Sequence, residues 1–314
     1  YNAGRYEEAL ALAEKGLALG EKEDGPESAN VASWLTHIAL ALEGLGRYEE
    51  AIPHLKRALA IREKILGPDH PDTATVLNNL GILYDNLGRF AEAEAHYKRA
   101  LVILEKVYGP DHPRVATTVN NLGLVYVNMG RYAEAEVLLK RALSISEKVD
   151  GPNHPNTAIS LTNLSVLYIA QSRLAEAEKL QARALAIDEK VHGPDHPSTA
   201  TSLNNLAEIY RIQGRFAEAE PLFKRALAID ERTSGPNSPD VALNLSNLAA
   251  LYDDVGRYAE AEAHLVRALA ILEKNFGSTH PQIAHALTNL ASVLRAQGRL
   301  DEAEENLKKA VARV

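Results

Sequence analysis

Between Pro71 and Leu87 the apolar side chains fall at Val76, Leu77, Leu80, Leu83, Tyr84 and Leu87. Steps of three and four residues place them on one face of an α-helix. Pro71 suits the first turn, where its missing N–H has no intrahelical partner to lose. Asp69 and Asp72 lie near the positive end of that helix. Gly88 follows the last apolar residue and accepts the left-handed conformation that ends a helix. A second helix is predicted from about Phe90 to Val107, with Glu92 in its first turn and Lys106 near its end, both matched to the helix dipole. Gly109-Pro110 then breaks the chain. Each helix has about 17 residues and a length of ~26 Å.

The pattern recurs. Gly-Arg stands at Gly4-Arg5, Gly46-Arg47, Gly88-Arg89, Gly130-Arg131, Gly214-Arg215, Gly256-Arg257 and Gly298-Arg299, with Ser172-Arg173 in the remaining place, every step 42 residues. Gly-Pro keeps the same step from Gly25-Pro26 to Gly235-Pro236 and ends as Gly277-Ser278. Ser172 is expected to carry a small strain where its counterparts are glycine. One alanine column runs through Ala9, Ala51, Ala93, Ala135, Ala177, Ala219, Ala261 and Ala303. A second runs from Ala58 to Ala310 with Gly16 at its head. Small residues there let helices approach closely. One helix pair cannot bury its apolar face alone, so neighbouring pairs must complete the core. The expected organisation is a single solenoid over 1–314: a lone second helix in 1–28, then helix pairs at 29–70, 71–112, 113–154, 155–196, 197–238, 239–280 and 281–314.

Leu77-x2-Leu80-Gly81-x2-Tyr84, followed by Ala93-x3-Tyr97 and Ala100, resembles the tetratricopeptide repeat pattern, with leucine in the tryptophan place. The usual unit has 34 residues, whereas both helices are longer here. The 42-residue phrase is similar to the repeats of kinesin light chains and related bacterial proteins. The resemblance implies an all-α, right-handed superhelical α-solenoid of antiparallel helix pairs. It also implies a protein or peptide partner, bound on a concave face lined by first helices. The first pair departs most, with Trp34, His37 and Leu42 where later copies differ.

Asparagines stand out on the first helices, because their side chains compete for backbone hydrogen bonds and they are poor helix formers. A step of 100° per residue, centred on Leu80, groups Thr75, Asn79, Ile82 and Asn86 on one flank, and turns Asn78 and Asp85 further round, away from the core. The column through Asn79 reads His37, Asn79, Asn121, Asn163, Asn205, Asn247 and Asn289. The column through Asn78 is a looser set of Asn, Thr and Ser that keeps its side polar. Two roles fit the strict column. The amides bond to a neighbouring helix and lock the repeat geometry, or they form a ladder that offers donors and acceptors to an extended peptide backbone. The resemblance favours the ladder. Specificity would then come from Ile82, Leu124 and Val166, in a column that becomes Glu208, Ala250 and Ser292, and from Asn86 and Asn128 beside them.

Other chemistry is thinly represented. The loop histidines His70, His112, His154, His196 and His280 recur at 42 residues, too far apart for one metal ion, and are expected to pack and cap the loops. No complete first helix carries a lysine, and only Arg114, Arg211 and Arg295 offer a cation there. That disfavours a clamp for a terminal carboxylate. Arg89 and Glu92, repeated in every copy, read as a local ion pair worth a few tenths of a kcal/mol. The 314 residues carry a net charge of −8, which argues against nucleic acid as the main partner. The absence of cysteine removes disulfides, thiolate metal sites and cysteine nucleophiles. No run of 18 apolar residues predicts a membrane span. The opening YNAGRYEEAL starts inside a repeat, which reads as a fragment, with a cytoplasmic location expected. No catalytic constellation and no cofactor are expected. The reading is a scaffold for an extended peptide segment; the alternative is a sensor or oligomerisation arm of a larger signalling protein.

Overall fold

A computed structural model describes residues 3–277 and 280–312. Tyr1, Asn2 and Ser278 of the sequence motifs above lie outside that range. The described chain contains fifteen α-helices and no strand. It divides into two compact units, Gly4–Arg173 and Leu174–Val314. The first unit holds α1 (Ala3–Glu23), α2 (Ala29–Gly44), α3 (Tyr48–Leu66), α4 (Pro71–Asn86), α5 (Phe90–Tyr108), α6 (Pro113–Asn128), α7 (Tyr132–Val149) and α8 (Pro155–Ala170). The second holds α9 (Leu174–Val191), α10 (Pro197–Ile212), α11 (Phe216–Thr233), α12 (Pro239–Asp254), α13 (Tyr258–Phe276), α14 (Pro281–Ala296) and α15 (Leu300–Val311). Within each unit successive helices pack on one another, and first helices also touch across repeats: α4 on α6, α6 on α8, α10 on α12, α12 on α14.

The turns between paired helices follow from their residues. Gly88 has φ +70°; its N–H bonds to Asp85 O and that of Arg89 to Tyr84 O. Those two bonds occupy carbonyls left over at the end of α4. Ser172 keeps the same bonds at φ +60°, the lone non-glycine residue with positive φ among those described. That is the strain expected of a side chain in a glycine position.

The loops between pairs are closed by histidine. The Nδ1 atoms of His70, His112, His154 and His196 accept from the backbone N–H two residues on, at 3.1–3.2 Å, and His280 does so at 3.3 Å. Ser28 and Ser238 cap the same helix start where histidine is missing. Three of the rings also stack on the residue four positions earlier: His112 on Tyr108, His196 on His192 and His280 on Phe276, with centroids 4.2–4.6 Å apart. Among the described residues no His, Asp and Glu side chains gather to hold a metal.

The core is the pair of alanine columns with the leucines around them. Ala51 to Ala261 and Ala58 to Ala268 are fully buried at every step. In the second unit Phe223, Leu248, Tyr252 and Leu265 pack together; in the first, Leu77, Ile103, Val119 and Ile145 do so. The departures in the first pair are packing features. A side chain at Gly16 would lie 2.5 Å from the Trp34 ring, so glycine at the head of the alanine column makes room for the one tryptophan.

The Arg-x2-Glu pair does more than the local role its spacing predicts. Arg131 bonds Glu134 as expected, and also reaches Glu94 of the preceding second helix at 2.8 Å. Its guanidinium lies 3.9 Å from the Tyr126 ring centre, and Tyr126 Oη donates to the same Glu94 at 2.9 Å. The arrangement returns at Arg173–Tyr168–Glu136, Arg215–Tyr210–Glu178 and Arg257–Tyr252–Glu220. Each clamp ties one repeat to the next by a charge-assisted bond to the earlier repeat's glutamate, while the cation–π contact holds the arginine against the tyrosine of its own repeat.

Candidate functional site

The flank defined by columns 75, 79, 82 and 86 is open to solvent along the first helices. Asn79, Asn121, Asn163, Asn205 and Asn247 are half-buried and Asn289 is exposed. Among the described residues none of these six carboxamides has a side-chain hydrogen-bond partner. Beside them Ile82 and Leu124 are half-buried, and Val166 is 42% exposed. Leu40 and Ile159 are also large exposed apolar side chains on this flank in the first unit. Asn86 and Asn128 are exposed, and Asn128 Nδ2 donates to Asp85 Oδ1 at 3.1 Å, one repeat back.

Of the predicted site residues, Asn121 and Asn163 are brought into one pocket of about 270 Å³ between α6 and α8. Asn289 lines a smaller one, about 130 Å³, with Arg211, Asp253, Asp254 and Ser292 in the second unit. The cation there is already engaged: Arg211 binds Glu208 at 2.8 Å and also Asp254. Burial holds the Asp253 carboxyl above its usual range, as does the neighbouring Asp254.

The Asn78 column corrects the helix-wheel expectation. Asn120 and Asn204 are each only 7% exposed and Asn78 is half-buried. Their Nδ2 atoms cross to the next first helix: Asn78 to Thr118 Oγ1 at 2.9 Å, Asn120 to Ser160 Oγ at 3.3 Å, and Asn204 to Asn244 Oδ1. A wheel with one buried direction misses this, because a first helix is covered both by its own partner and by its counterpart in the next repeat. So the locking role weighed for the strict column belongs to the loose one. These bonds join a buried polar seam. Ser160 Oγ lies 3.0 Å from Ser146 Oγ; Ser202 Oγ donates to Asp188 at 2.6 Å; Asn244 Nδ2 donates to Asp230 at 2.7 Å. Burial pushes the Asp188 and Asp230 carboxyls up. Sequence reasoning missed the seam, although a legible signal exists: Thr118, Ser160, Ser202 and Asn244 occupy one column that is otherwise Trp34, Val76 and Ala286. The seam is not free of loose ends, since Oδ1 of Asn78, Asn120 and Asn204 is buried without a partner.

Stacked helix pairs with a solvent-facing row of first-helix side chains define a repeat scaffold, a class that uses its extended surface for binding. The Tetratricopeptide repeat family matches at residues 1–64, 30–105, 86–136, 114–190, 163–232, 202–274 and 240–314. The chain belongs to that family. Among solved structures it is similar to BtubC (BKLC) from P. vanneervenii, at 25% identity and TM-score 0.59, over 73% of this chain and 92% of that one. It is similar to a putative kinesin light chain from Podosopora anserina, at 28% identity and TM-score 0.54, over 65% of this chain and 97% of that one. It shares its fold with the Rap conjugation gene regulator of plasmid pLS20, solved in complex with the Phr* peptide, at 15% identity and TM-score 0.65, over 91% and 74% of the two chains. No curated protein matches the chain. Among the described residues no helix is long and apolar enough to cross a membrane.

Proposed function

We propose that this chain is a non-catalytic scaffold that holds an extended peptide segment of a protein partner along the open flank of its first helices. Asn79, Asn121 and Asn163 grip the peptide backbone in the first unit, and Asn205, Asn247 and Asn289 offer a like row in the second. Each carboxamide offers one acceptor and two donors, which suits a backbone that alternates C=O and N–H. The observation that carries this reading is the division of labour between adjacent asparagines. The asparagines of the Asn78 column, Asn78, Asn120 and Asn204, are spent on helix-to-helix bonds, and among the described residues those of the Asn79 column make none. Six helix-indifferent amides without a side-chain hydrogen bond among the described residues are better explained by a partner than by the stack. Ile82, Leu124 and Val166, with Asn86 and Asn128, read the side chains of the first part of the segment, so apolar residues are preferred there. The Rap regulator of the same fold was solved with a peptide, so a bound peptide is compatible with this architecture.

The test is Asn79→Ala/Asn121→Ala/Asn163→Ala screened against a peptide array beside the wild type. The expected outcome is unchanged helicity and melting temperature with peptide binding lost. Unchanged binding with a lowered melting temperature would make the amides structural and end the proposal.

A further inference from the structure

The pocket between α6 and α8 contains an unfinished hydrogen bond. Asn120 forms part of its lining, and its Nδ2 is committed to Ser160. Its Oδ1 is buried with no partner. Leaving a buried acceptor unpaired costs on the order of 1–3 kcal/mol, a cost that an entering donor removes. The oxygen is covered in the unliganded chain, but the terminal torsion of asparagine is soft. The proposed donor reaches it once that torsion turns Oδ1 towards the pocket.

The other lining groups narrow the chemistry. Arg114 contributes a guanidinium whose one hydrogen bond, 3.3 Å long, is to Tyr108 Oη. Asp150 contributes a carboxylate, bonded to Asn156 at 3.0 Å. An ammonium group would satisfy Asn120 Oδ1 and suit Asp150, but meet Arg114 and the positive first turn of α6. A carboxylate would suit Arg114 but carries no proton for Asn120 and meets Asp150. An aliphatic side chain leaves both polar groups unanswered. A carboxamide answers both, with its NH2 donating to Asn120 Oδ1 and its C=O accepting from Arg114. Asn121 and Asn163, on the same pocket, are placed to hold the backbone on either side.

We infer that this pocket receives a glutamine or asparagine side chain of the bound segment. The inference rests on the proposed peptide-binding function and assigns that segment one position. The probe is a phage-displayed library of random dodecamer peptides, selected on the full chain and followed by titration of synthetic peptides. Enriched segments should share Gln or Asn at one fixed place. Replacing it with Glu, Lys or Leu should weaken binding about tenfold, the scale of one buried polar group left unpaired. In Arg114→Ala, at an exposed position, and in Asn120→Ser, with helicity of both checked by circular dichroism, that tenfold preference should disappear. Segments whose binding needs Asn121 and Asn163 but that show no Gln or Asn preference overturn this inference and leave the proposed function standing. A preference that survives in both variants overturns the pocket assignment. If no enriched segment depends on Asn121 and Asn163, both readings fail.

Discussion

Gly81 sits mid-helix, where glycine costs about 1 kcal/mol relative to alanine. It is there because a Cβ would stand 2.6 Å from the ring of Tyr97, which is 1% exposed and has nowhere to move. Gly81→Ala should therefore lose about 1–3 kcal/mol by overpacking, despite the better helix propensity. Urea denaturation checks this. Adding Tyr97→Leu should recover most of the loss, since Ala249 and Leu265 occupy the equivalent places in one buried cluster. The same scale separates Asn78 from Asn79. One position along the helix turns a side chain by 100°, from a flank shared with the next repeat to one that faces solvent.

At the scale of elements, the second helices are zipped by the Arg–Tyr–Glu clamps. Lys224 leads the hydrogen bonds that hold the Glu220 carboxyl down at about 2, with Arg257 and Tyr252 adding to it against burial. Glu94 is also near 2: burial alone would raise it, but hydrogen bonds from Lys98, Arg131 and Tyr126 outweigh that. A carboxyl with a depressed folded pKa stabilises fully above its unfolded value. The contribution is lost as pH falls from about 4.5 towards 2. Melting temperature measured across that window should fall steadily for the wild type. The slope should be shallower for Glu94→Gln/Glu220→Gln, which should also melt lower than the wild type at pH 7. Neighbouring first helices are joined to one another by the buried seam. Asp188 and Asp230, which accept from neutral donors and are raised by burial, have the opposite pH sign.

At the scale of the molecule, packing runs between successive helices and between neighbouring first helices within each unit. Stability in such a stack is close to a sum over repeats and their interfaces. Deleting 113–154 joins His112 to Pro155 and so preserves the His-Pro helix start. The shortened chain should keep its helicity per residue and still unfold cooperatively, as followed by circular dichroism. Loss of folded structure would count against 113–154 as one interchangeable repeat.

Much of this was legible because the repeat is exact in length. Seven Gly-Arg and six Gly-Pro dipeptides on a 42-residue register, with two alanine columns in step, determine helix pairs, turns and core. Local chemistry suffices there: glycine for a left-handed turn, proline for a first turn, alanine for close approach. The flank bearing Asn79 is legible by the same periodicity. What only the tertiary structure decided depends on distances between repeats. The second contact direction that buries Asn120 and Asn204, the reach of Arg131 to Glu94, and the pocket joining Asn121 to Asn163 all involve residues about 40 positions apart. A helix wheel describes one helix and one buried face; a stacked helix has two.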